Sequence, residues 1–230
     1  MNRRNIVNIL YEDNDICVCV KPQGILAQSN RSFDTDMVSL LKARYKTSGS
    51  EPYIAVINRL DRPVSGIMLF ARNKSAAAAL TKQLTGHTIN KQYYALCVGI
   101  PTPPKGDFND YLLKDSKTNT SKIVKEGTKD AKLSKLSYEL IDTYTVDNLN
   151  VSLVKIDLHT GRHHQIRVQF SGHNLPLLYD TKYNPLYNTV RSKGLVALCA
   201  YHLEFKHPVS GKPMSFSIQP DWDIIDTSIL

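Results

Sequence analysis

The sequence predicts an α+β protein built on a mixed, largely antiparallel sheet with flanking helices. Three observations carry that prediction: apolar runs of strand length outnumber helical stretches, the helical stretches are few and short, and no internal repeat appears. At 230 residues the chain is long enough to bury a sizeable core, as one domain or as two lobes sharing a sheet. With 42% apolar and 22% charged residues it does not read as disordered.

Taken in order, ICVCVK (Ile16 to Lys21) is a strand that ends at the turn PQG. Asp34 or Thr35 then caps a helix whose apolar face is Met37, Val38, Leu41 and Tyr45, stopping near Gly49. YIAVI (Tyr53 to Ile57) and IMLFA (Ile67 to Ala71) read as buried strands joined by the polar turn RLDRPVSG, Arg59 to Gly66. Asn73 or Ser75 caps an alanine-rich helix that closes at Gly86, and KQYYALCVG (Lys91 to Gly99) is the next strand. PTPPKG (Pro101 to Gly106) is the clearest punctuation in the chain, so a boundary between two lobes is expected there. Lys114 to Lys135 is a hairpin-like surface excursion of low apolar content, expected to be mobile. Strands follow at Lys135 to Tyr144 and Asn150 to Leu158. TGRHHQIRVQFSG then turns into a helix with Ile166, Val168 and Phe170 apolar and Gly172 as its stop, and two last strands flank the turn HPVSGK.

The net charge of +8 and pI near 9.2 point to a polyanionic partner, nucleic acid or an acidic membrane surface, and charge alone does not choose between them. Glu12, Asp13 and Asp15 break the N-terminal apolar stretches, and no run is long enough to cross a bilayer, so neither signal peptide nor membrane span is expected. Cys17, Cys19, Cys97 and Cys199 lack metal or redox spacing and read as buried reduced thiols, which fits a cytoplasmic protein. Without a secretory signal the glycosylation patterns at Asn30 and Asn119 carry no weight. The adjacent His163 and His164 lack ligand spacing, and no metal is expected.

Asp61, between Arg59 and Arg62, reads by itself as a turn-capping aspartate. Four segments change that reading when taken together: RLDRPVSG, KQYYALCVG, TGRHHQIR and AYHLEFKHP. Their order and spacing resemble the RluA-like family of pseudouridine synthases, and so does the opening YEDNDICVCVKPQG, from about Ile9 to Phe216. The resemblance implies the pseudouridine synthase fold, with a catalytic cleft across the sheet, and an enzyme that isomerises uridine in structured RNA. It implies no separate N-terminal RNA-binding domain, since the chain opens on the first strand of the catalytic core.

The resemblance makes Asp61 the catalytic carboxylate, Arg167 the guanidinium that keeps it ionised, and Tyr93 a ring that stacks beneath the uracil. Tyr94 must face the other side of the strand, because strand side chains alternate. Arg59 resembles a side chain that fills the space of the extruded base, with a phosphate contact as the alternative. Lys21, Arg62, Arg162, His164, Gln165 and Lys182 are assigned to substrate binding, and His164 also reads as a structural member of its helix motif. Isomerisation involves no net redox or group transfer, so no cofactor is expected. Ribosomal and transfer RNA are both open as substrates, and the protein is expected to be a monomer.

Asn58, Val64, His163 and Tyr179 depart from the family's usual His, Thr, Thr and Gly. None of these departures removes a catalytic group; they bear on subfamily and target. Two other classes compete. A nucleosidase would place two carboxylates across the bond, with Asp157 or Asp180 as the second; an inactive RNA-binding module would keep the cleft without the reaction.

Overall fold

The computed structural model describes residues 7–29, 35–189 and 195–223. In chain order its elements are β1 (Asn8–Glu12), β2 (Ile16–Lys21), α1 (Met37–Tyr45), β3 (Ala55–Val56), β4 (Ser65–Ala71), α2 (Lys74–Thr85) and β5 (Asn90–Val98). There follow β6 (Lys105–Asp115), β7 (Thr120–Val124), β8 (Lys132–Val146), β9 (Leu149–Leu158), α3 (Gln165–Gly172), β10 (Leu198–Lys206) and β11 (Pro213–Ser217). The chain divides into two compact units, Met1–Asn90 with Ala200–Ile218 and Lys91–Cys199 with Gln219–Leu230. The division thus falls at Asn90/Lys91, with a return at Ala200, and not at the Pro101 to Gly106 punctuation.

In the first unit the strand order is β1-β2-β4-β10, with β3 added to β4 and β11 to β10. β2 is antiparallel to β1 and β4, and β11 to β10. Alternation along β2 and β4 sends Ile16, Val18, Ile67, Leu69 and Ala71 to one face, where Ala76 and Leu80 of α2 close the core. Asn73 caps α2 by accepting the Ala76 N–H at 2.8 Å, and the Gly86 N–H closes it on the Lys82 carbonyl. α1 is capped by Asp36, whose Oδ1 accepts the Ser39 N–H at 2.8 Å and whose Oδ2 accepts that of Ser29. The expected cap was one or two residues earlier; Asp34 lies outside the described residues, as does Asn30. α1 ends at Tyr45, because Lys46 is already extended, and Gly49 belongs to the turn beyond it.

YIAVI forms only the two-residue ladder of β3. The pairing then continues by other means: the Ile57 N–H donates to the Leu69 carbonyl at 3.0 Å. The Asn58 amide next donates to the Ile67 carbonyl at 3.1 Å and accepts the Leu69 N–H at 2.7 Å. A buried side-chain amide thus replaces a peptide group, and the chain is released into the Asp61 turn.

The second unit has the order β5-β9-β8-β6-β7, antiparallel at every step. β8 and β9 run longer than expected because Asp147 and Asn148 both take positive φ, 49° and 63°, the mirror-image turn that suits a tight hairpin. The lysine-rich excursion is regular structure: β7 pairs with β6 from Asp115↔Thr120 to Tyr111↔Val124. α3 packs across β6 and β7 and is buried from Gln165 to Phe170 on every side, polar residues included. Gln165, Arg167 and the Nε2 of Gln169 bond inside the protein, so it shows no amphipathic stripe. Among the described residues no helix is long and apolar enough to cross a membrane. The four cysteines are buried free thiols.

Candidate active site

Asp61 sits half-buried on the turn before β4, with Arg59 and Arg62 exposed at its flanks and Leu60 buried between. Its carbonyl accepts the Val64 N–H at 3.1 Å, closing the turn. Gly66, the second residue of β4, has φ +129° and lies where a Cβ would be 2.4 Å from the Ala200 carbonyl oxygen, so only glycine fits that approach. The turn is tied to the loop after β2 in two places. The Gly24 N–H donates to the Arg62 carbonyl at 2.8 Å, and Arg62 Nε donates to the Gly24 carbonyl at 2.9 Å.

Lys21 makes a third tie. It is fully buried, and its Nζ donates to the carbonyls of Pro22 and Ile25 at 2.9 Å and of Arg62 at 3.3 Å. Burial lowers its ammonium to about 8, and the negative charge of Asp61 acts in the opposite direction. A cation thus stands under the Asp61 turn. Assigned to substrate binding from the sequence, Lys21 lies inside the protein with its ammonium on backbone carbonyls.

In the second unit Tyr93 pairs with Ile156 and Tyr94 with Lys155, so the two tyrosines face opposite sides of β5, as alternation requires. Tyr93 is the more buried, at 6% exposed. Arg167, 3% exposed on α3, meets Asp180 side-on: Nε donates to Oδ2 at 2.7 Å and Nη2 to Oδ1 at 2.8 Å. The Tyr183 ring lies 5.2 Å from the guanidinium carbon.

The turn before α3 is a polar knot. His164, at φ +54°, places its Nδ1 2.7 Å from the Tyr183 hydroxyl, which accepts the Ser121 N–H at 2.9 Å. His163 stacks on His164 at 3.7 Å and reaches Ser121 Oγ and Asn119 Oδ1. Gln165 Oε1 accepts from Thr160 and the Arg162 N–H, while its Nε2 donates to the Lys135 carbonyl. His164 and Gln165, expected to bind substrate, are buried and bonded within the protein. Arg162 and Lys182 are exposed, with Arg162 Nε on the Leu133 carbonyl and Lys182 Nζ on that of Asn119.

Sequence reasoning missed Asp180 and Tyr183 as the seat of Arg167. From the sequence Asp180 reads only as a candidate second carboxylate, and no spacing links residues 13 and 16 positions downstream to Arg167. Among the described residues the one His and carboxylate trio within ligating reach is Asp13, Asp15 and His207. Asp13 already accepts from Asp15, Ile16, Tyr11 and His207. His207 Nδ1 accepts backbone N–H groups of its own turn, so its Nε2 donates to Asp13, and the trio works as a knot between two turns.

Fold and ordered residues together are those of a pseudouridine synthase. Residues 15–172 match the RNA pseudouridylate synthase family, and the chain belongs to it. It is 31% identical over 219 residues to ribosomal large subunit pseudouridine synthase C of Haemophilus influenzae, covering 93% of this chain and 65% of that protein. It is 30% identical over 223 residues to ribosomal large subunit pseudouridine synthase D of Xanthomonas campestris, covering 92% and 65%. The chain thus spans just under two thirds of either relative. Human RNA pseudouridylate synthase domain containing 1 shares the fold, with a TM-score of 0.77 at 22% identity over 96% of this chain and 86% of that one.

Proposed function

We propose that the chain isomerises one uridine of a structured RNA to pseudouridine with Asp61 as nucleophile. In this reading the Asp61 carboxylate attacks the anomeric carbon, and the bond to uracil N1 breaks with its electrons left on the base. The base turns over, carbon 5 bonds to the sugar as the carboxylate leaves, the proton of carbon 5 departs and N1 is protonated. Atoms and electrons balance within the nucleotide. Tyr93 holds the detached ring by stacking, and Arg167 supplies the cation that keeps the nucleophile ionised.

The observation that carries the reading is the construction around Asp61: a half-buried carboxylate on a turn tied down at Gly24 and Lys21, with an ammonium beneath it. Arg59 and Arg62 flank the carboxylate as exposed cations suited to RNA. The names of the two bacterial relatives make large-subunit ribosomal RNA the first substrate to try. Lys21, His164 and Gln165 support the site from inside, and the exposed Arg59, Arg62, Arg162 and Lys182 meet the RNA.

The test is release of tritium from total RNA labelled as [5-³H]uridine and taken from cells lacking the gene, since carbon 5 loses its hydrogen in the reaction. Asp61→Asn keeps the shape without the charge and is expected to lower release by about a thousandfold or more while RNA binding persists. Release at the wild-type rate by a folded Asp61→Asn protein would falsify the mechanism.

A further inference from the structure

The ion pair of Arg167 is built with more care than packing requires. Asp180 Oδ1 accepts three donors: Arg167 Nη2, the Lys182 N–H at 2.9 Å and the Tyr183 N–H at 3.2 Å. Oδ2 takes Arg167 Nε, so rotation of the carboxylate would break bonds at both oxygens. The loop that carries Asp180 is itself fixed to β5: Leu177 bridges Cys97, and the Leu178 N–H donates to the Leu96 carbonyl at 2.8 Å. Tyr179, just before Asp180, is held in the left-handed region at φ +61°, its ring against Tyr187 at 5.2 Å. Strain of this kind persists only where the surroundings over-determine the backbone.

Tyr183 is pinned at both ends of the same helix. Its hydroxyl joins His164 at the start of α3, its carbonyl accepts Ser171 Oγ at 2.6 Å near the end, and its hydroxyl also takes the Ser121 N–H of β7. A buried ion pair gains little stability over well-packed apolar residues of the same volume. What this pair does gain is direction. Side-on bonding through Nε and Nη2 turns the opposite, Nη1 edge of the planar guanidinium away from Asp180 along one fixed line.

We propose that Asp180 and Tyr183 are positioning residues for the reaction: they fix the angle of Arg167, which alone of the three acts toward the reacting groups. The proposal rests on the role given to Arg167 above. Asp180 holds the guanidinium in plane, Tyr183 lines its face, and the Tyr183 hydroxyl ties that arrangement to β7.

The experiment is the kcat and KM of tritium release from the same [5-³H]uridine-labelled RNA, across pH, for Asp180→Asn, Tyr183→Phe and Arg167→Lys, each checked for folding by circular dichroism. Asp180→Asn is expected to lower kcat by about tenfold to a hundredfold with KM nearly unchanged, the size of effect that a misplaced catalytic group produces. The acid limb of its kcat profile is expected to move, because the variant changes both the aim of Arg167 and the charge beside it. Tyr183→Phe keeps the ring and loses the hydroxyl, so about a threefold fall in kcat and a smaller move of the limb are expected. A merely structural role would scale the rate with the folded fraction and leave the limb in place, and that result overturns the proposal. Should Asp180→Asn not fold, Tyr183→Phe decides by the same two readouts. Wild-type turnover by Arg167→Lys would mean that the assigned role of Arg167 is wrong, and the proposal falls with it. An inactive Arg167→Lys beside an unchanged Asp180→Asn overturns the proposal alone.

Discussion

The Asp61 turn and the Arg167 seat are built on opposite plans. In the first unit a half-buried carboxylate is held by backbone: the carbonyl of Arg62, the N–H and carbonyl of Gly24 and three carbonyls gathered on one lysine. In the second a buried cation is held by side chains, the Asp180 carboxylate and the Tyr183 ring, and His164 in turn bonds the Tyr183 hydroxyl. A backbone-built turn transmits damage through φ and close approach. A side-chain seat transmits it through charge and orientation, with more room to adjust.

The sharpest break of that contrast is Gly66→Ala. The new methyl would lie 2.4 Å from the Ala200 carbonyl oxygen, 2.5 Å from its nitrogen and 2.7 Å from its Cα, in a backbone at φ +129°. Nothing at that contact is a side chain that can swing away, so about 4 kcal/mol or more of stability is expected to be lost. Urea unfolding of the variant reads it directly, and a midpoint within error of wild type would show that β4 and β10 separate more easily than their packing implies.

The same contrast explains what the sequence made legible. Asp61 stood out because its turn is local: eight residues between two apolar runs, four of them charged or hydroxylated, bounded by a glycine that the structure then requires. The α2 cap at Asn73 and stop at Gly86 were legible for the same reason. The Arg167 seat was not, since its partners arrive from a loop with no periodicity. The hairpin of β6 and β7 was legible as a hairpin-like excursion, but its order was not, since that comes from pairing with β6 and from Ser121 meeting Tyr183. Asn58 was noted as a departure, but its imitation of a strand peptide depends on an amide placed between Ile67 and Leu69, which composition does not reveal.

A middle-sized effect tests the cation under the Asp61 turn. Lys21 falls from 10.5 to about 8 on burial. Between those values the unfolded chain binds more protons than the folded one, so stability contributed by this group rises with pH across that window and is flat below it. Urea unfolding from pH 7 to pH 10.5 is expected to show wild type gaining up to about 3 kcal/mol relative to Lys21→Met. Parallel curves for the two proteins would mean that Lys21 keeps an ordinary ammonium and exerts no special hold on the turn.

The smallest expected effect comes from a glycine that looks as crowded as Gly66. A Cβ on Gly172, at the end of α3, would lie 2.3 Å from Ile123 Cδ1, an approach as short as the one at Gly66. The difference is what it meets: the tip of an isoleucine side chain that is 36% exposed on β7, with open directions for its terminal methyl. Gly172 also lacks the positive φ that strains any other residue. Alanine there removes freedom from the unfolded chain and suits a helix, a gain of about 0.4 to 1 kcal/mol that offsets the shift of one side chain. Gly172→Ala is therefore expected to stay within about 1 kcal/mol of wild type in urea unfolding, with unchanged tritium release. A loss comparable to that of Gly66→Ala would mean that Ile123 is locked in place. β7 would then be a rigid wall of the Arg167 seat, and the supposed tolerance of the side-chain plan would fail at its edge.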